Sequence, residues 1–128
     1  MNLRHKDYKL LMIYINESQK RRLEEFLEDI SYVMYTVQTG LESVWSKSEK
    51  HKNSKAWPGK ECIFRILVRD GKLENLLGKL RSFRITIPRN IIMAAGIIPL
   101  EGLIVDFMNE DIEYDDAIID DLKNKHKK

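Results

Sequence analysis

The chain has 128 residues, 43% of them hydrophobic and 33% charged, which suits one soluble domain with a sizeable core of its own. No run approaches the roughly 18 apolar residues of a membrane span, and the single cysteine, Cys62, excludes an internal disulfide and fits a cytoplasmic protein. The formal net charge of +2 conceals an asymmetry: residues 1–104 hold 18 Lys/Arg against 12 Asp/Glu, and residues 105–128 hold 4 against 8, so a basic body precedes an acidic tail.

The N-terminal MNLRHKDYKLLMIYIN places charges before a short apolar run without a small-residue cleavage site, so a strand is expected and not a signal peptide. That run, YKLLMIYIN, is too short for a helix and nearly continuous in apolar residues. Asn16 and Glu17 end it, and Ser18 is the expected N-cap of the helix QKRRLEEFLEDIS, whose Leu23, Phe26, Leu27 and Ile30 form one stripe at i, i+3, i+4, i+7. YVMYTVQTGLESVW is rich in aromatic and β-branched residues and reads as a strand, with Gly40 as a bulge or close backbone approach. It runs into SKSEKHKNSKAWPGKE, a lysine-rich stretch that returns through Pro58-Gly59 into a second strand, ECIFRILVR. Strand, stretch, strand reads as a hairpin with a long tip at Ser46–Lys60.

Asp70 is the expected cap of a second helix, GKLENLLGKLRSF, with Leu73, Leu76, Leu77 and Leu80 on its stripe and Gly78 weakening it slightly. IIMAAGIIPLEG closes the pattern as a last strand, and Pro99 near its end favours a sheet edge or a strand terminus. The tail holds Ala117, Ile118, Ile119 and Leu122 amid acids and then lysines, the pattern of a short C-terminal helix with cations at its negative end and a frayed finish.

The order βαββαβ specifies an α+β, ferredoxin-like domain: a four-stranded antiparallel sheet with two helices on one face, plus a C-terminal extension. Residues 8–104 form that domain and 105–128 the acidic extension. The uncovered face is expected to be polar in a lone domain. Yet Leu10, Met12 and Tyr14 alternate with Leu11, Ile13 and Ile15, and Ile63 and Leu67 alternate with Cys62, Phe64, Ile66 and Val68. The second face is therefore expected to pack on another subunit, with Arg65 and Arg69 at its rim or paired across it; a tail folded back over the sheet is the alternative.

The stretches YKLLMIYIN, TVQTGLESVW, KAWPGKECIFRILV, LENLLGKLR and AAGIIPLEG together resemble the PII-like superfamily of signalling proteins, over roughly residues 8–102, with Trp57-Pro58-Gly59 as the most specific element. The resemblance implies a homotrimer with a small effector, usually an adenine nucleotide, in the cleft between subunits. It implies that Ser46–Lys60 is the T-loop, which meets a partner protein such as a transporter or an enzyme, and that Gln38, Thr39 and Gly40 form the loop's base. One part departs from the pattern. PII proteins carry a glycine-rich phosphate loop between the second helix and the last strand, whereas SFRITIPRNII has no glycine to let backbone amides approach a phosphate. Arg81, Arg84 and Arg89 are the side chains there suited to an anion.

No nucleophile elbow, paired His–Glu motif, Walker loop or zinc-spaced Cys/His cluster is present, so catalysis is not expected. The divalent-cation-tolerance trimers share the fold, which makes a metal at His51 with a carboxylate an alternative to a solvated loop histidine. Trp45 and Trp57 flank the basic stretch and either pack over the hairpin base or anchor a ligand or partner. Lys47, Lys50, Lys52 and Lys55 against Glu49 give the tip a net +3, either a solvated loop or a partner-facing surface together with His51, Pro58 and Gly59. Nucleic acid ranks below an acidic protein or membrane-adjacent partner, because the strands carry no pair of base-stacking aromatics and the total charge is near neutral.

Overall fold

The computed structural model describes residues 7–32, 34–46, 49–51, 60–108 and 112–127, with residues 45, 46 and 49–51 described through their backbone. The chain divides into two compact units, Asp7–Leu100 and a second that contains Glu101–Lys128.

In the first unit the central strand β1 (Tyr8–Asn16) leads through a 3-10 turn (Glu17–Gln19) into α1 (Lys20–Asp29). Then come β2 (Tyr35–Leu41), a short ribbon of β3 (Ser43–Ser46) and β4 (Glu49–His51), β5 (Glu61–Arg69), α2 (Asp70–Thr86) and β6 (Met93–Pro99). The main sheet has the order β2-β5-β1-β6, with every neighbouring pair antiparallel. This is the expected α+β, ferredoxin-like arrangement. Leu11, Ile13, Ile15, Cys62, Phe64 and Ile66 are fully buried on one face, in one cluster with Leu23 and Leu27 of α1 and Leu76, Leu80 and Phe83 of α2. Phe26 and Phe83 join the two helices with ring centroids 5.2 Å apart. Each such side chain contributes about 1.5–3 kcal/mol by leaving water.

Helix boundaries differ from the sequence reading, for local reasons. Ser18 is not the first cap: the Asn16 side chain accepts from the Ser18 N–H (2.9 Å) and starts the 3-10 turn, while α1 opens at Lys20 without a side-chain cap. A short amide side chain just past the last ladder residue reaches the N–H two residues on. At its far end α1 closes with the N–H of Tyr32 on the Leu27 carbonyl and that of Ser31 on Glu28. Ser31 there takes φ 67°, the left-handed position usually given to glycine.

Nor does Asp70 cap α2. It is the first helical residue, its N–H prolongs the ladder to the Asp7 carbonyl (2.8 Å) and its carboxylate takes Lys9 (2.7 Å). The helix continues through Thr86, past the expected Phe83, and stops where Pro88 drives Ile87 into an extended conformation (ψ 162°). The first five residues of SFRITIPRNII are thus helix, and the connection is only 87–92. Pro99 ends β6, an edge strand, which suits a residue with no N–H to donate.

The other face of the sheet carries Leu10, Met12 and Tyr14, opposite Leu67, Arg65 and Ile63 on one side and Ile98, Gly96 and Ala94 on the other. Leu67 is 38% exposed and Ile98 43%. The two arginines are used within the chain: Arg65 donates to Gln38 Oε1 (2.8 Å), and Arg69 donates to the Tyr8 hydroxyl (3.1 Å) with its guanidinium 5.5 Å from the ring centre. In the second unit, α3 (Asp116–Lys125) is capped by Asp115, which accepts from Ala117 N–H (2.9 Å), and ends in Lys123 and Lys125, as dipole complementarity favours. No helix among the described residues is long and apolar enough to cross a membrane.

Candidate functional site

One end of the sheet concentrates the polar structure. There β1 and β2 finish and β5 and β6 begin, so the 3-10 turn, the base of the long β2–β5 excursion and the α2–β6 connection all meet solvent together. Among the described residues the buried polar side chains are Asn16, Gln19 and Glu61, and all three lie here. Burying such groups is tolerated only where hydrogen bonds satisfy them, so this end is closely specified.

The excursion leaves through a bulge. β2 pairs regularly with β5 as far as Gln38↔Ile63, then shifts register before Leu41↔Glu61, leaving Thr39 and Gly40 out of the ladder. Gly40 takes φ 75°, a conformation costly for any residue with a Cβ, and its N–H donates to the Glu17 carboxylate. The return leg is held by the same residue: the Glu17 N–H donates to the Lys60 carbonyl (2.8 Å). Cys62, the second residue of the return strand, is fully buried, its thiol directed at the Ile15 carbonyl (3.5 Å). Burial first, and then the neighbouring Glu17 charge, pushes that thiol up to about 11. It is therefore a protonated, unreactive core group at neutral pH.

The α2–β6 connection is organised by Arg84. Its Nη2 donates to the carbonyls of Ile91 (2.9 Å) and Arg89 (3.1 Å), and its Nη1 to those of Ile87 and Pro88 (both 3.4 Å). A planar fork in the last turn of α2 thus gathers four carbonyls of a segment that has no ladder of its own. Arg22 of α1 adds a contact to the Thr86 carbonyl (3.4 Å) and holds Gln19 Oε1 (3.1 Å).

The sequence-derived effector residues thus fall into two groups. Gln38, Thr39 and Gly40 lie at the end of β2; Gln38 is engaged by Arg65, and all three are exposed. Arg81 and Arg89 are exposed; Arg81 and the half-buried Arg84 both border an open groove of ≈ 290 Å³ with Leu77, Leu80, Met93 and Ala95, and the guanidinium of Arg84 is committed to backbone carbonyls. The first group ends the edge strand β2, whereas Arg81 and Arg84 lie on α2 and Arg89 in the connection that leads to the opposite edge strand, β6, three strand spacings or about 14 Å from β2. A single chain does not bring them together. Of the loop residues, Trp45 lies in β3, and Lys50 and His51 lie in β4, which pairs Val44↔Lys50 and Ser43↔His51. The first part of the supposed loop is therefore a β-ribbon. Lys47, Lys52, Lys55, Trp57, Pro58 and Gly59 lie outside the described residues. Among the described residues no group of three or more His, Cys, Asp or Glu is placed to hold a metal. The residues that sequence reasoning passed over are Glu17, Gln19 and Glu61; their one signal is a charge or amide set directly against an apolar strand, after β1 for Glu17 and Gln19 and at the start of β5 for Glu61.

No protein-family model and no curated protein sequence matches the chain. Among solved structures it is similar to CPII, a nitrogen regulatory PII-like protein from Thiomonas intermedia K12 bound to ADP, AMP and bicarbonate (15% identity, TM-score 0.51, covering 76% of this chain and 96% of that one). It is also similar to a DUF3240 family protein from Shewanella baltica OS155 (16%, 0.51, 84% and 98%). A third is a functionally unknown protein from Pediococcus pentosaceus ATCC 25745 (9%, 0.53, 77% and 96%). At these identities the likeness is one of fold, and the fold is that of the PII-like proteins.

Proposed function

We propose that the chain is a homotrimeric, non-catalytic regulatory module of the PII type, acting in the cytoplasm. The observation that carries this reading is the sheet face opposite the helices, where Leu10, Met12, Tyr14, Leu67 and Ile98 adjoin one another across three strands around Arg65, whose guanidinium is taken up by Gln38. A surface of that composition is stabilised by burial against further copies, and closed rotational symmetry lets every copy bury the same face. Assembly also resolves the separation of the two effector groups. The β2 end of one copy and the Arg81–Arg89 region of the next flank one cleft, which suits an anionic small molecule.

CPII, of the same fold, is bound to ADP and bicarbonate, so an adenine nucleotide and bicarbonate are the first ligands to test. The excursion between β2 and β5, rooted beside that cleft, carries the bound state to a partner protein as a population shift. Sedimentation equilibrium tests the assembly: the expected mass is three times the 15.1 kDa chain, and Met12→Lys, which sets a second positive charge opposite Arg65 in the middle of this face, is expected to give single chains. A monomeric wild-type protein at micromolar concentration refutes the reading. Thermal shift against adenine nucleotides and bicarbonate identifies the effector, since a ligand at 100 times its Kd stabilises by about 2.7 kcal/mol.

A further inference from the structure

Glu17 holds both legs of the β2–β5 excursion. It follows β1 directly, yet its side chain reaches β2, which is not a neighbour of β1: β5 lies between them. The carboxylate therefore passes over the start of β5, in keeping with its influence on the Cys62 thiol. Its own N–H holds Lys60, the last residue before β5, while Oε1 holds the N–H of Gly40, one residue before β2 ends.

The Gly40 N–H is an unusual donor. The register shift takes it out of the ladder, and the positive φ turns it away from the strand direction that a residue with a Cβ would keep. An amide freed in this way suits an oxyanion, and here a carboxylate of the chain itself occupies it. We propose that Glu17 is a built-in anion for the Gly40 donor, one that fastens the entrance of the excursion and has to withdraw before an external carboxylate or phosphate oxygen takes its place. Ligand binding and release of the strand end at Gly40 are then a single exchange at one N–H. The competition with a ligand rests on the effector reading above; the fastening of the excursion does not.

The test compares the full-length wild type with Glu17→Ala and Glu17→Gln. Hydrogen exchange read by mass spectrometry is expected to be about tenfold faster over residues 36–42 in Glu17→Ala, the consequence of losing one charge-assisted hydrogen bond. Glu17→Gln retains an accepting oxygen and falls between. Exchange over residues 62–68 is the internal control and stays at the wild-type rate; it also distinguishes local release from a general loosening if Glu17→Ala folds poorly, in which case Glu17→Gln alone carries the comparison. Unchanged exchange over 36–42 in the folded variants overturns the latch. ADP and bicarbonate are then titrated separately, and binding is expected to tighten several-fold in Glu17→Ala because the internal competitor is gone. Weaker binding in both variants overturns the competition. If neither ligand binds any of the three proteins, the effector reading fails and the competition with it, while the exchange comparison still decides the latch.

Discussion

Replacing Arg84 separates a structural arginine from a ligand-facing one. Its guanidinium donates to four carbonyls of the α2–β6 connection, two at 2.9 and 3.1 Å and two at 3.4 Å. A hydrogen bond from a charged donor contributes roughly 1.5–3 kcal/mol net when well formed. Arg84 is half-buried and the two longer contacts add little, so the lower end of that range applies to the two short ones. Arg84→Ala is then expected to destabilise the chain by about 2–3 kcal/mol. For a unit the size of Asp7–Leu100 each kcal/mol lowers the midpoint by about 4–8 °C, so the expected fall is on the order of 10–20 °C. Arg84→Lys keeps the charge but not the fork, and is expected to recover less than half of the loss. The assay is thermal unfolding by circular dichroism at matched protein concentrations, because the midpoint of an oligomer depends on concentration. An Arg84→Ala midpoint within about 2 °C of wild type refutes this structural role for Arg84.

Backbone conformation supplies a contrasting set. Gly78 lies mid-helix in open space, so Gly78→Ala is expected to stabilise by about 0.5–1 kcal/mol, whereas Gly40→Ala, also unobstructed, is expected to destabilise by about 1–2 kcal/mol because of its φ of 75°. Ser31→Gly relieves the same strain at the end of α1 and is expected to raise the urea midpoint. For Cys62, the unfolded thiol ionises near its ordinary value while the folded one holds its proton up to about 11. In that window the native state binds more protons than the unfolded state, so stability is complete at neutral pH and falls as pH rises from about 9 to 11. Cys62→Ala is expected to flatten this part of the denaturation-against-pH curve by about 2–3 kcal/mol; identical slopes for both proteins refute it.

Much of this protein was legible from residue order alone. The apolar run 8–16, the stripes Leu23–Phe26–Leu27–Ile30 and Leu73–Leu76–Leu77–Leu80, and the Gly40 bulge follow from periodicity and single-residue sterics, both local properties. The two-sided apolar character of β1 was likewise visible as a plain alternation. Helix ends were less so, because Asn16 and Ser18, or Arg69 and Asp70, compete for the cap within a residue or two, and the continuation of the β1–β5 ladder decides between them. The roles of Arg84 and Glu17 were not legible at all. As sequence, Arg84 is one of three arginines suited to an anion and Glu17 a polar residue ending a strand. Arg84 turned inward because Pro88 and the short connection present four carbonyls within its reach. Glu17 met Gly40 because the order β2-β5-β1-β6 brings positions 23 residues apart to the same end of the sheet, and the bulge frees one N–H there. Periodicity determines which face of an element is apolar; which carboxylate meets which amide depends on packing across strands that are not neighbours, and tertiary structure alone decided that.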